Sequence, residues 1–368
     1  MARRIEVATL VVKVASRCNM DCSYCYIFHG QDTSWKQMPR RMSQDVLRAL
    51  TENIVSLYKS QRTKVKVVFH GGEPLLFGIA RLHECIAEIV RKVPDVALSI
   101  QTNGTIFNAE LENLLLRFRT NLTFSVSVDG FAAENDKHRK GLRNRSVYDQ
   151  IEGTLKRARQ AGVLDGVLIV VDPDNDPARI YEFMRATGAR RYNVLLRDGD
   201  YDHPPPGKQD HDSTSVGEWL WELFCLYASG PQDIRITFFD DVAGSLLKRA
   251  RGLRGPAATY SLCTLTVDTN GEVKQADTFR INGQGADNLI GQSILNAQLL
   301  ELANSTANRE IVEATETLCE RCMACKFLDT CGGGYPSHRA RRRNFMRPSI
   351  YCSDYLHLFE RMEQALCQ

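Results

Sequence analysis

The 368-residue chain has no apolar run long enough to cross a bilayer, and Met1-Ala-Arg-Arg leads straight into a strand-like segment with no signal-peptide pattern. Nor has it charge of one sign to spare. Its 47 Lys and Arg stand against 44 Asp and Glu, a net +3, too little to suggest nucleic acid as a partner. Internal repeats and low-complexity tracts are also missing. Cysteine, by contrast, is plentiful. Twelve would read as disulfides in a secreted protein, but without an export signal the expected home is the reducing cytoplasm, where thiolates are free to bind metal.

The length suffices for one large core and a second, smaller unit. From residue 6 to about 229, strand-like and helix-like patterns alternate. Strands are expected over 7–14, 65–69, 96–100, 122–128, 167–171 and 193–196. Helices are expected from Ser43, a plausible N-cap, and over 79–92, 107–117, 147–161, 177–187 and 214–229. Six strand–helix units imply an α/β fold with a parallel sheet curved into a partial, TIM-like (βα)6 barrel, whose chemistry sits at the C-terminal strand ends. Four motifs fall there: the loop Cys18-Asn-Met-Asp-Cys22-Ser-Tyr24-Cys25, His70-Gly71-Gly72-Glu73-Pro74, Gln101-Thr-Asn103-Gly104 and Ser127-Val-Asp129-Gly130. A polar, Pro-rich loop over 197–213 reads as a lid or a plain surface loop. After residues 234–239, a helix and basic connector over 244–255 put the boundary near residue 240, giving domains 1–240 and 241–368.

Three thiolates spaced as Cys18, Cys22 and Cys25 can hold three corners of a four-iron cluster and leave the fourth iron open; a zinc site or structural cysteines are the alternatives. The spacing, with Tyr24 before the last Cys, resembles the signature of the radical S-adenosylmethionine (SAM) enzymes. That resemblance implies a [4Fe-4S] cluster whose open iron binds SAM, reductive cleavage to a 5'-deoxyadenosyl radical, and an electron donor such as flavodoxin or ferredoxin. It further implies that Gly71, Gly72 and Glu73 meet the SAM amino group and that Ser127 and Arg139 hold its carboxylate, with Tyr24 and Asn103 among the polar groups around it. Arg suits the carboxylate because its fork pairs bidentately.

The C-terminal region carries Cys263 ahead of an Asn-Gly hairpin turn, then Cys319, Cys322, Cys325 and Cys331, Gly332-Gly-Gly334-Tyr-Pro-Ser-His338-Arg339, and Cys352. This is a strong metal signal, with a zinc knuckle as the plain alternative. It resembles the SPASM extension of radical SAM peptide maturases, which implies one or two auxiliary iron-sulfur clusters. Cys322, Cys325, Cys331 and Cys352 match the four ligands of the second. The first lacks two of its ligands, since Ala276 and Tyr335 stand where the pattern has Cys, and Cys263 and Cys319 remain for it. Cys85 and Cys225 read as helix core residues. Asp277 matches an Asp that takes the substrate proton in sulfatase-maturing members.

Asp32-Thr-Ser-Trp35, His70-Gly-Gly-Glu-Pro-Leu75, Asn135-Asp-Lys-His138-Arg139 and a later Pro-Ser-x-Tyr-Cys352, together with both cysteine regions, are similar to the FxsB-type radical SAM/SPASM maturases. The resemblance implies a ribosomally made precursor peptide as substrate. Abstraction of a β-hydrogen would lead to a C–C crosslink to an aromatic ring, a cyclophane. The alternatives are a sulfatase-maturase-type oxidase or peptide epimerase, and, in another class, a noncatalytic iron-sulfur sensor or scaffold. Arg339, Arg341, Arg342, Arg343 and Arg347 read as a solvated basic helix face or as a dock for an acidic leader segment.

Overall fold

In the computed structural model, which describes residues 3–253 and 260–367, the expected alternation runs from Arg4 to Ser229. In chain order come β1 (Arg4–Ala15), α1 (Gln44–Ser60), β2 (Lys66–Gly71), α2 (Ile79–Lys92), β3 (Ala97–Thr102), α3 (Ala109–Arg117), β4 (Leu122–Ser127) and α4 (Tyr148–Gln160). They are followed by β5 (Gly166–Val170), α5 (Pro177–Thr187), β6 (Arg191–Leu195), α6 (Ser215–Ser229), β7 (Arg235–Ile236) and α7 (Thr237–Ala250). Then come β8 (Tyr260–Val267), β9 (Glu272–Gln275), β10 (Asn288–Ser293), α8 (Thr306–Glu316) and α9 (Cys352–Cys367). Local chemistry sets the ends. Ser43 Oγ accepts the Val46 N–H at 3.3 Å to cap α1, whose Leu47, Leu50, Ile54 and Leu57 face inward. Asp176 caps α5 ahead of Pro177, and Gly188 ends it at φ 63.

The chain forms two compact units that interleave along the sequence: residues 1–127, 138–165 and 258–313 in the first, and 128–137, 166–257 and 314–368 in the second. A division at residue 240 cuts the chain once, whereas these units exchange it several times. The first unit has strand order β10-β9-β8-β1-β2-β3-β4. The run β8-β1-β2-β3-β4 is parallel, so the C-terminal ends of these strands share one rim; β9 and β10 turn back antiparallel. The second unit holds the parallel strands β5-β6-β7.

Two expectations change. A short strand stands at Arg235–Ile236, and α7, expected from residue 244, starts at Thr237 and passes through residue 240. Phe239, Val242 and Leu246 are buried at helical spacing, so the three-to-four period overrides the β-propensity of the aromatic run. Residues 254 and 255 of the expected connector lie outside the described residues. Cys85 is buried as expected, but Cys225 is exposed.

The loop over 197–213 is anchored within the second unit. Lys208 is wholly buried and pairs with the equally buried Asp354 at 2.8 Å, the Tyr201 N–H donates to the Ala340 carbonyl at 3.1 Å, and Asp200 is buried. Gly217 on α6 donates its N–H to Asp354 Oδ1 at 2.9 Å, so the same carboxylate fixes α6 and the start of α9. Breaking one side of such a pair strands a buried charge. Lys208→Met is therefore expected to lower the unfolding free energy by about 3–5 kcal/mol, and the double variant Lys208→Met/Asp354→Leu is expected to recover most of that loss; urea denaturation of the three proteins measures both.

Candidate radical site and auxiliary cysteine cavity

Three half-buried thiols follow β1 within the first unit. Cys18 Sγ accepts the Met20 N–H at 3.4 Å and Asn103 Nδ2 at 3.6 Å. Burial pushes this thiol up to about 12, and the two donors pull the other way. Burial raises Cys25 as well, against the backbone N–H groups of Phe28 and Ile27. N–H groups aimed at buried sulfurs stabilise thiolates, which is what an iron-sulfur loop requires. The loop is clamped by the segment after residue 137: the Asp21 N–H donates to Lys140 O at 2.8 Å and the Ser23 N–H to His138 O at 3.0 Å. This seats the buried Arg139, whose Nη1 donates to Tyr24 Oη at 3.0 Å.

The Gly-Gly-Glu stretch closes on the loop from β2. Gly71 has φ 134, and a Cβ there would lie 2.1 Å from Ala15 O; one at Gly72 would lie 2.3 Å from Arg17 O. Only glycine allows the main chains this close. The Gly72 and Glu73 N–H groups donate to Ala15 O at 2.9 Å and Arg17 O at 3.0 Å. Glu73, fully buried, accepts from the Leu75 N–H at 3.0 Å, Thr102 Oγ1 at 2.8 Å and the Asn103 N–H at 2.7 Å. Burial raises its pKa against these bonds. Asn103 in turn reaches Cys18 and bonds Asn19 Oδ1 at 2.9 Å. Ser127 ends β4, half-buried, on the same rim. Asp129 and Gly130 belong to the second unit, where Asp129 Oδ1 accepts the Val170 N–H at 2.9 Å and serves as a brace.

Asp277 stands in a buried charge cluster on that rim which the sequence reading did not anticipate. Its Oδ2 accepts the Tyr26 hydroxyl at 2.9 Å and lies 3.5 Å from Lys13 Nζ and 3.9 Å from His70 Nδ1. Lys13 and His70 are register partners on β1 and β2. Asp268 follows β8, 3.9 Å from Lys13, 3.0 Å from Lys274 and 3.1 Å from Arg280. Although burial alone would raise the Asp277 pKa, Lys13, His70 and Tyr26 hold it below the usual carboxylate value. His70 is lowered, chiefly by burial. A signal was present: a lysine flanked by Val12 and Val14 in an apolar strand must find a carboxylate.

In the second unit Cys322, Cys325, Cys331 and Cys352 line one cavity, with Phe327, Tyr355 and Phe359 around it. Among the described residues no three His, Cys, Asp or Glu side chains are set to hold a single metal ion; a four-iron cube spreads its thiolates more widely. Cys319 bonds Cys322 beside the cavity, and burial lifts Cys322 to about 12. Cys263 lies in the first unit, buried and bonded to Asn308. The basic stretch is not a helix face: Arg339 is 1% exposed, while Arg342 and Arg343, at φ 47 and 61, turn the chain between Arg341 and Asn344. Among the described residues, Arg339 Nε and Nη1 are buried without hydrogen-bond partners. An orphaned cation whose charge feels the thiols of Cys322, Cys319 and Cys331 fits an anionic cluster there.

Residues 12–186 match the Radical SAM superfamily. The chain carries a radical SAM domain. It is 23% identical to a cysteine-type anaerobic sulfatase-maturating enzyme of Clostridium novyi over 97% of this chain and 95% of that one. With a serine-type enzyme of Klebsiella aerogenes it shares 25% over 89% of this chain and 79% of that one. The solved structure of native anSMEcpe with bound AdoMet and Cp18Cys peptide superposes at TM-score 0.79, 20% identical, over 98% of both chains. Streptococcus suis SuiB bound to precursor peptide SuiA does so at 0.65, 14% identical, over 94% of this chain and 76% of that one. The protein is thus an enzyme with the α/β radical SAM fold, and SAM and a four-iron cluster are its cofactors. A radical SAM enzyme has catalytic work to do, so the noncatalytic sensor or scaffold reading falls.

Two outcomes test the geometry. Gly72→Ala pushes a methyl group into the Arg17 carbonyl, so the anaerobically reconstituted variant is expected to bind about four fewer irons per chain than wild type, one cluster's worth; an unchanged iron count contradicts the clamp. Removing the carboxylate that raises the His70 pKa must lower it further, so in Asp277→Asn the imidazole is expected to titrate at lower pH than in wild type, read by NMR of the histidine ring carbons.

Proposed function

We propose that this radical SAM enzyme modifies a ribosomally made precursor peptide, removing a hydrogen atom from a side-chain β-carbon so that the carbon closes on a nearby aromatic ring. The bound cofactors supply the 5'-deoxyadenosyl radical. Cys18, Cys22 and Cys25 hold the cluster; Tyr24, Asn103, Ser127 and Arg139, with Gly71, Gly72 and Glu73, form the SAM end of the site. The observation that carries this reading is the buried charge cluster of Lys13, His70 and Asp277 on the rim of the cysteine loop. Crosslinking releases a ring proton as well as an electron, and the cluster offers a preformed acceptor built on Asp277. Cys322, Cys325, Cys331 and Cys352 would hold an auxiliary iron-sulfur cluster, which would supply a one-electron acceptor. An external flavodoxin or ferredoxin supplies the priming electron. Among the described residues no helix is long and apolar enough to cross a membrane. The FxsB-type motifs support the cyclophane product, and the peptides in the anSMEcpe and SuiB structures support a peptide substrate in general.

A sulfatase-maturase-type oxidation is the second reading, favoured by the near full-length similarity to the Clostridium novyi enzyme. Mass spectrometry of a co-expressed candidate precursor separates the two. A crosslink removes two hydrogen atoms and suppresses backbone fragmentation inside the ring, whereas an oxidised side chain fragments normally and reacts with a hydrazide. Unchanged mass with an inverted centre would sink both. Asp277→Asn is expected to keep forming 5'-deoxyadenosine but to lose product by about 10²–10⁴-fold, the usual range for a positioned proton acceptor.

A further inference from the structure

The sequence Cys331-Gly-Gly-Gly-Tyr-Pro-Ser-His-Arg339 folds back on itself. Gly332, Gly333 and Gly334 lie at φ 60, 85 and 73, three consecutive left-handed residues that no side-chain-bearing run adopts cheaply. A Cβ at Gly333 would stand 2.6 Å from Leu318 Cδ2, so the glycine leaves room for that side chain, and Arg339 Nη1 lies 3.6 Å from the same position, against the turn. Arg339 Nη2 donates to the Thr315 carbonyl, while Nε and Nη1 are buried and unpartnered among the described residues. After burial itself, the groups that act on its charge are the thiols of Cys322, Cys319 and Cys331. A buried cation left in this state is costly unless an anion meets it.

We propose that Arg339 is the built-in countercharge of an iron-sulfur cluster held by Cys322, Cys325, Cys331 and Cys352, and that it sets that cluster's reduction potential. The inference rests on the auxiliary-site assignment above. A four-iron cluster on four thiolates carries a net charge of −2, and one electron from dithionite takes it to −3 with no proton needed. A fixed positive charge at close range stabilises the more negative state and raises the potential. A guanidinium suits this role because it keeps its charge when buried.

The test uses the full chain with Cys18, Cys22 and Cys25 changed to Ala, so that only the auxiliary cluster remains, reconstituted anaerobically with iron and sulfide. Iron is counted and the cluster is titrated with dithionite while its EPR signal is followed. Arg339→Gln with full iron is expected to shift to lower potential by at least a tenfold change in the one-electron equilibrium, 59 mV, and Arg339→Lys to stay closer to the parent. Full iron in Arg339→Gln with an unmoved potential overturns the proposal. If Arg339→Gln binds no iron, loading by Arg339→Lys supports the need for a countercharge, and failure of both overturns it, because shape rather than charge is then at stake. A parent chain that binds no iron overturns the cluster assignment itself, a different failure from that of Arg339.

Discussion

One buried carboxylate holds the radical site together. Glu73 has no exposure, and besides bonds within its own turn it ties together pieces of the rim: its carboxylate accepts from Thr102 and Asn103 at the end of the third strand, and its N–H donates to the carbonyl of Arg17 in the cysteine loop. Asn103, placed by that bond, reaches Cys18. A loop carrying three thiolates has little apolar surface of its own, so its position must come from polar contacts and close backbone packing. Gly71 and Gly72 provide the packing and Glu73 the contacts. Glycine is required there by the protein's own main chain, whatever the same groups do for SAM.

Charge is handled alike in the two units: it is buried and then paired. In the first, Lys13 sits between Asp268 and Asp277 at the strand ends, with His70 beside it. In the second, Lys208 and Asp354 tie a long loop to the helix that begins at Cys352. Such pairs contribute less to stability than apolar packing of the same volume, but they fix geometry, since a shifted partner strands a charge. Arg339 meets a main-chain carbonyl on one nitrogen, and its other two have no hydrogen-bond partner among the described residues.

Most of the parallel framework was legible in the residues. Strand and helix positions follow the apolar periods to within a few residues, and the cysteine loop, the Gly-Gly-Glu turn and Asn103 fall on one rim because parallel strands must end there. Contacts between distant segments were not legible. Tyr26 meets Asp277 across 251 positions, and no local pattern pairs them. The arginines after His338 read as one charged face because charge counts carry no direction, whereas Arg339 is buried at the end of a 3-10 turn and Arg341, Arg342 and Arg343 stay exposed. Helix α7 was misplaced where aromatic residues favour a strand and the burial period favours a helix.

The central claim is that the chain holds an open four-iron cluster for SAM and a second cluster in the cavity of Cys322, Cys325, Cys331 and Cys352. The most direct measurement is anaerobic reconstitution of the wild-type protein, followed by iron and sulfide counts and an assay of 5'-deoxyadenosine after adding dithionite and SAM. About eight irons per chain together with 5'-deoxyadenosine is the expected result, four for each cluster. About four irons with 5'-deoxyadenosine would contradict the auxiliary site, and fully loaded protein that leaves SAM intact, even with its peptide present, would contradict the radical chemistry.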